Sequence, residues 1–105
     1  MIIKYDAKID DDAVINNLKR ITNQIYKLLP IREEGLDWQK PALTLIEELA
    51  GMDRLLIGKH EVLFSLLCKL EGLFILTKDE DFQEYRRTIF ECLGLIGELR
   101  SQCQL

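Results

Sequence analysis

The chain has 105 residues, 48% apolar and 30% charged, with a formal net charge of −4 and a single histidine. That length suits one domain over residues 1–105, and the composition excludes a disordered chain. The acidic balance, with basic residues scattered rather than gathered in a stripe, counts against a nucleic-acid partner.

No apolar run approaches the ~18 residues that suggest a membrane span. The three cysteines (Cys68, Cys92 and Cys103) have no CxxC spacing, which fits a reducing cytoplasm better than secretion. The opening MIIKYDAKIDDD has too short an apolar run, too soon followed by acids, for a signal peptide.

Residues 1–9 alternate loosely through Ile3, Tyr5, Ala7 and Ile9 and read as an extended arm. The rest of the chain offers no evident second strand. The arm is therefore expected to lie on the body of the protein or to pair with a second copy.

The first predicted helix covers 10–29. Asp10 is the expected N-cap, the acids at 10–12 suit the positive end of the helix dipole, and Ile9 with Val14 takes the staple positions. Val14, Leu18, Ile21, Ile25 and Leu28 form a narrow heptad seam, and Pro30 is expected to end the helix. The second helix covers 37–57, capped by Asp37, with Leu36 and Pro41 as staple. It carries one stripe of Ala42, Leu45, Leu49, Met52 and Leu56. A second stripe of Leu43, Ile46, Ala50 and Ile57 widens its apolar face.

Gly58 marks the break before a third helix over 60–76, with His60 in the turn; one continuous helix is the alternative. The third helix is apolar almost all round and is expected to be the most buried. The fourth covers 78–101. Thr77 and Glu80 have capping-box spacing, with Asp79 as rival cap. Its stripe is Phe82, Tyr85, Ile89, Leu93, Ile96 and Leu99. Gly94 and Gly97 are candidates for close approach by another helix. Four helices joined by short connections predict an all-α fold, a compact antiparallel bundle of about four helices with a short extended N-terminal arm.

No catalytic set assembles from the sequence. The ferritin-like pattern needs Glu-x-x-His pairs, and none is present. Glu33, Glu34 and Asp37, with Glu47, Glu48 and Asp53, resemble part of the Mg²⁺-binding EExxE motif of all-α nucleotide pyrophosphatases, but the third Glu and the later ExxD are absent. Cys68 and Cys92 read as core residues, and Cys68 is about 12 Å along the helix from His60, too far for a nucleophile–base pair. Glu71 and Glu91 are expected at the edge of the apolar face, near Lys69, Arg87 or Arg54.

The densest chemistry is REEGLDWQKP, residues 32–41. Most of it suits a corner between two helices, with Gly35 in the turn, Asp37 as cap and Trp38 covering one end of the core. The same residues offer an aromatic ringed by charge, as at interface hot spots. Arg32, Glu33, Glu34, Asp37, Trp38 and Lys40 are therefore the candidate interface. The expected function is a non-enzymatic interaction protein without cofactor or metal, self-associating as a dimer or binding a protein partner. A metal-dependent nucleotide-processing enzyme built on the acidic residues is the alternative.

Overall fold

Four heptad seams face one another in the computed structural model, which describes the backbone at residues 4–5, 11–53, 56–57 and 61–103. The helices are α1 (Asp11–Glu33), α2 (Gln39–Asp53), α3 (Glu61–Gly72) and α4 (Phe82–Cys103). Single turns of 3-10 helix follow α3 at Leu73–Ile75 and precede α4 at Asp79–Asp81. Two short strands, β1 (Lys4–Tyr5) and β2 (Leu56–Ile57), pair antiparallel, with Lys4 opposite Ile57 and Tyr5 opposite Leu56.

The core is Val14, Leu18, Ile21, Ile25 and Leu28 from α1, with Leu29 beside that seam, and Trp38 just ahead of α2 with Ala42, Leu45, Leu49 and Met52 from it. Leu63, Leu66, Leu70 and Leu73 come from α3 and its continuation, and Tyr85, Ile89, Cys92, Ile96 and Leu99 from α4. Every seam advances by alternating steps of three and four. Such spacing keeps an apolar stripe aligned with a neighbour only when helices run nearly side by side. The result is an all-α four-helix bundle, elongated at 45 × 20 × 19 Å. In section it is a square: α4 lies against α1 and α3, and α2 touches α1 and α3 less extensively.

Several boundaries differ from the sequence reading. Pro30 does not end α1; it lies inside the helix with its ring exposed. An interior proline costs ~3 kcal/mol. Continuation packs Ile31 against the core and places Arg32, which offsets that cost. The helix stops one turn later at Gly35, whose φ of +76° suits a residue without Cβ. Leu36 N–H donates to the Ile31 carbonyl and Gly35 N–H to the Arg32 carbonyl, both at 3.0 Å, the paired bonds of a Schellman cap.

The second helix ends at Asp53, short of 57, because Leu56 and Ile57 leave it to pair with the arm. The arm thus finds a partner strand inside the chain. Helices α2 and α3 are separate, and the continuous alternative is excluded. The readings of Asp10, Arg54, Gly58 and His60 fall outside the described residues, and Cys103 is described in its backbone alone.

The third helix is not the most buried. Phe64 is 69% exposed, Ile75 beyond it 81%, Cys68 is exposed and Leu67 only half-buried. A helix in a square bundle has two neighbours, so an all-round apolar surface cannot all be covered. The outer stripe of α2 is likewise uncovered at Leu43 and Ala50.

Ahead of α4 the cap is shifted by one residue. The Asp81 carboxylate accepts the Lys78 N–H at 3.1 Å, in place of a Thr77–Glu80 pair. Cys92 takes the seam position beside which Leu93 is only half-buried, whereas Cys68 is exposed. Among the described residues a Cβ at Gly94 or Gly97 would meet nothing within 4 Å, so neither glycine serves close approach there. Glu91 sits where expected, 2.6 Å from Lys69 Nζ on α3.

Two outcomes follow. Gly94→Ala raises stability by about 1 kcal/mol, the helix-propensity difference, because the position is exposed and open. Leu66→Asp places a charge at a fully buried position and abolishes the cooperative thermal transition seen by circular dichroism, whereas Leu67→Asp at the half-buried neighbour leaves a folded protein.

Candidate functional site

The corner between α1 and α2 is organised by one cation. Arg32 lies one helical turn beyond Leu28, so its side chain reaches over the end of the core. Its guanidinium carbon is 4.4 Å from the Tyr85 ring centroid, 5.4 Å from that of Trp38 and 5.8 Å from that of Phe82. One terminal nitrogen donates to the Leu76 carbonyl, and the other to the Lys78 carbonyl at 2.8 Å. The planar guanidinium suits this position because it can stack on rings while its edge serves two acceptors.

The rings also pack on one another. Trp38 meets Tyr85 edge-on at 4.9 Å and Phe74 at 5.7 Å, and Phe82 stacks on Tyr85 at 6.1 Å. The Tyr85 hydroxyl donates to the Leu28 carbonyl at 3.1 Å, and burial pushes its pKa well above the usual phenol range. Asp37 caps α2, its carboxylate accepting the N–H groups of Gln39 at 2.9 Å and Lys40 at 3.3 Å. Pro41 has no N–H to offer the first turn, which leaves it free to sit there.

The six candidate interface residues divide accordingly. Arg32 and Trp38 are directed inward, Trp38 only 8% exposed, and Asp37 is engaged as a cap. Glu33 and Glu34 are exposed at the end of α1. A cleft of about 290 Å³ opens beside the corner, lined by Arg32, Gly35, Leu36, Trp38, Thr77, Asp79 and Phe82. Lys40 instead faces a groove of about 430 Å³ between α1 and α2, lined by Gln24, Lys27, Ile31, Lys40, Pro41, Thr44 and Glu48. Sequence reasoning missed Phe74, Phe82 and Tyr85 as partners of the corner. They lie more than forty residues beyond Arg32, and no local pattern announces the pairing.

The acidic residues do not converge. Glu48 pairs with Arg20 at 2.5 Å, Glu47 is exposed, and Asp37 is occupied at the helix start. Among the described residues no three His, Cys, Asp or Glu side chains gather as metal ligands. Burial pushes the Cys92 thiol up to about 12, so it stays protonated and is no nucleophile at neutral pH. On the surface, the hydrogen bond and charge of Lys69 hold the Glu91 carboxyl below its usual range, with Arg87 a further influence. The same pairing raises Lys69.

A third surface is apolar. On α2, Glu48 marks the flank toward α1, and on α3, Lys69 marks the flank toward α4. The opposite flanks of these two helices meet and carry Leu43, Ile46 and Ala50 from α2 with Phe64 and Leu67 from α3. Leu43 is 50% exposed there, and Phe64 more so.

Comparison with known proteins adds no kinship: no family model matches the chain, and neither curated proteins nor solved structures give a significant match. No helix among the described residues is long and apolar enough to cross a membrane.

Arg32→Met is expected to cost about 2–3 kcal/mol in urea denaturation, from two charged hydrogen bonds and the ring contacts. Arg32→Lys restores less than half of that loss, since an ammonium cannot serve two carbonyls in a planar fork.

Proposed function

We propose that the protein is a non-enzymatic interaction module that forms a homodimer through the apolar α2–α3 face. The observation that supports this most directly is Phe64, 69% exposed in the middle of a folded helix, with Leu43 and Ala50 exposed on the facing flank of α2. An uncovered aromatic with aliphatic neighbours on two adjacent helices is the kind of patch that soluble monomers seldom carry and interfaces bury.

A second copy suits this patch because a two-fold axis brings like residues together at its centre. Phe64 and Leu43 then pack against their own counterparts. Glu47, Glu61 and Glu71, exposed on the same two helices, stay at the solvated rim. The chain needs no chemistry for such a role. The carboxylates that would serve the alternative enzyme are spread over the corner, a helix cap and an ion pair.

Light scattering across a concentration series tests the proposal. The wild type is expected at twice the chain mass, indifferent to millimolar Mg²⁺ or Mn²⁺. Leu43→Glu with Phe64→Glu is expected at the mass of one chain with unchanged helical circular dichroism. A wild type that stays monomeric at high micromolar concentration, or a double variant that stays dimeric, would reject this interface.

A further inference from the structure

The groove between α1 and α2 has a chemistry that the α2–α3 face does not share. Its apolar floor is Ile31 from α1 and Pro41 from α2. A lysine stands on each wall, Lys27 and Lys40, both exposed, and no carboxylate among the described residues lies within ion-pair distance of either. The one acid that lines the groove, Glu48, is tied to Arg20 at 2.5 Å. Gln24 and Thr44 complete the lining with groups that can donate or accept.

The surrounding charge points the same way. From residue 13 to residue 31 the sequence contains no Asp or Glu, while Lys19, Arg20 and Lys27 all fall there. In a chain of net charge −4 this part of α1, between Asp12 and Glu33, is a local positive stretch, and Lys40 extends it onto α2. The groove exists because α1 and α2 touch less extensively than α1 and α4 do. Short side chains at Pro41 and Thr44 leave the space open.

We propose that this groove binds a short acidic segment of another polypeptide, seating one apolar side chain on Ile31 and Pro41 while flanking carboxylates pair with Lys27 and Lys40. The volume of about 430 Å³ is within the range of pockets that accept a large side chain and its neighbours. Opposite charge around an apolar anchor gives both orientation and selectivity. A nucleic acid is the less suited polyanion. It presents a phosphate every few ångströms and is held by many cations and by aromatic platforms, whereas this groove has two cations and no aromatic lining. A second copy in isologous contact would set lysine against lysine.

The test uses a fluorescein-labelled decapeptide with one central leucine between glutamates. Its anisotropy is followed on titration with the intact protein at 50 and 300 mM salt. Saturable binding is expected, weaker at the higher salt, and reduced at least tenfold by Lys27→Glu with Lys40→Glu. The milder Lys27→Gln with Lys40→Gln is expected to fall in between, and circular dichroism shows whether each variant is folded. Replacing the leucine of the peptide by glycine is expected to weaken binding severalfold. Leu43→Glu with Phe64→Glu is expected to bind the peptide normally, so loss of the dimer and loss of the groove are separate results. Absence of saturable binding, equal binding by the charge-reversed variant, or tighter binding of a ten-nucleotide thymidine oligomer would overturn the assignment.

Discussion

The guanidinium of Arg32 ties together parts of the chain that lie far apart in sequence. It leaves the end of α1, lies over Tyr85 from α4 and Trp38 from the start of α2, and donates to the backbone between α3 and α4. Three of the four helices are thereby fixed at one end of the bundle. The constraint runs in both directions. Arg32 can reach that position only because α1 continues through Pro30, and α1 can continue only because the contacts beyond Pro30 outweigh the lost hydrogen bond. The Schellman cap at Gly35 and the Asp37 cap then reverse the chain within a few residues.

Along the rest of the bundle the organising force is apolar burial. All four seams repeat at heptad spacing, and no charged side chain is buried among the described residues. Charge is kept to the surface, in pairs such as Lys69–Glu91 and Arg20–Glu48 that link neighbouring helices. Exposed pairs of this kind contribute little to stability. They mark which flanks of the helices are occupied, and by elimination which are free. The two surfaces proposed for partners are different in kind: one is apolar on α2 and α3, the other lysine-flanked between α1 and α2.

Most of the architecture could be read in the sequence, because a heptad seam is a local pattern. The α1 seam and the inner stripe of α2 were legible residue by residue, as was the Asp37 cap. The errors share a cause, which is that burial depends on neighbours and not on composition. Leu56 and Ile57 continued the apolar stripe of α2 and so looked helical, although they pair with β1. The third helix looked like the centre of the core, yet a square bundle covers only the seam side of each helix. Cys68 and Cys92 looked alike, and geometry placed one outside and the other on the seam. The corner was legible as a corner. Arg32 was read there as an interface candidate, because its ring partners Tyr85 and Phe82 lie far away in sequence. The α1–α2 groove was invisible, since it requires the register between two helices.

The close packing of α1 against α4 has a consequence for how the protein is made. Helix α1 finds its most extensive partner in α4, the one of the three other helices that lies furthest from it in sequence. Until residues near Leu99 have emerged, the seam of α1 lacks the surface against which Val14, Leu18 and Ile21 are buried. Folding of the bundle is then deferred until α4 is available, and the four helices close as one unit.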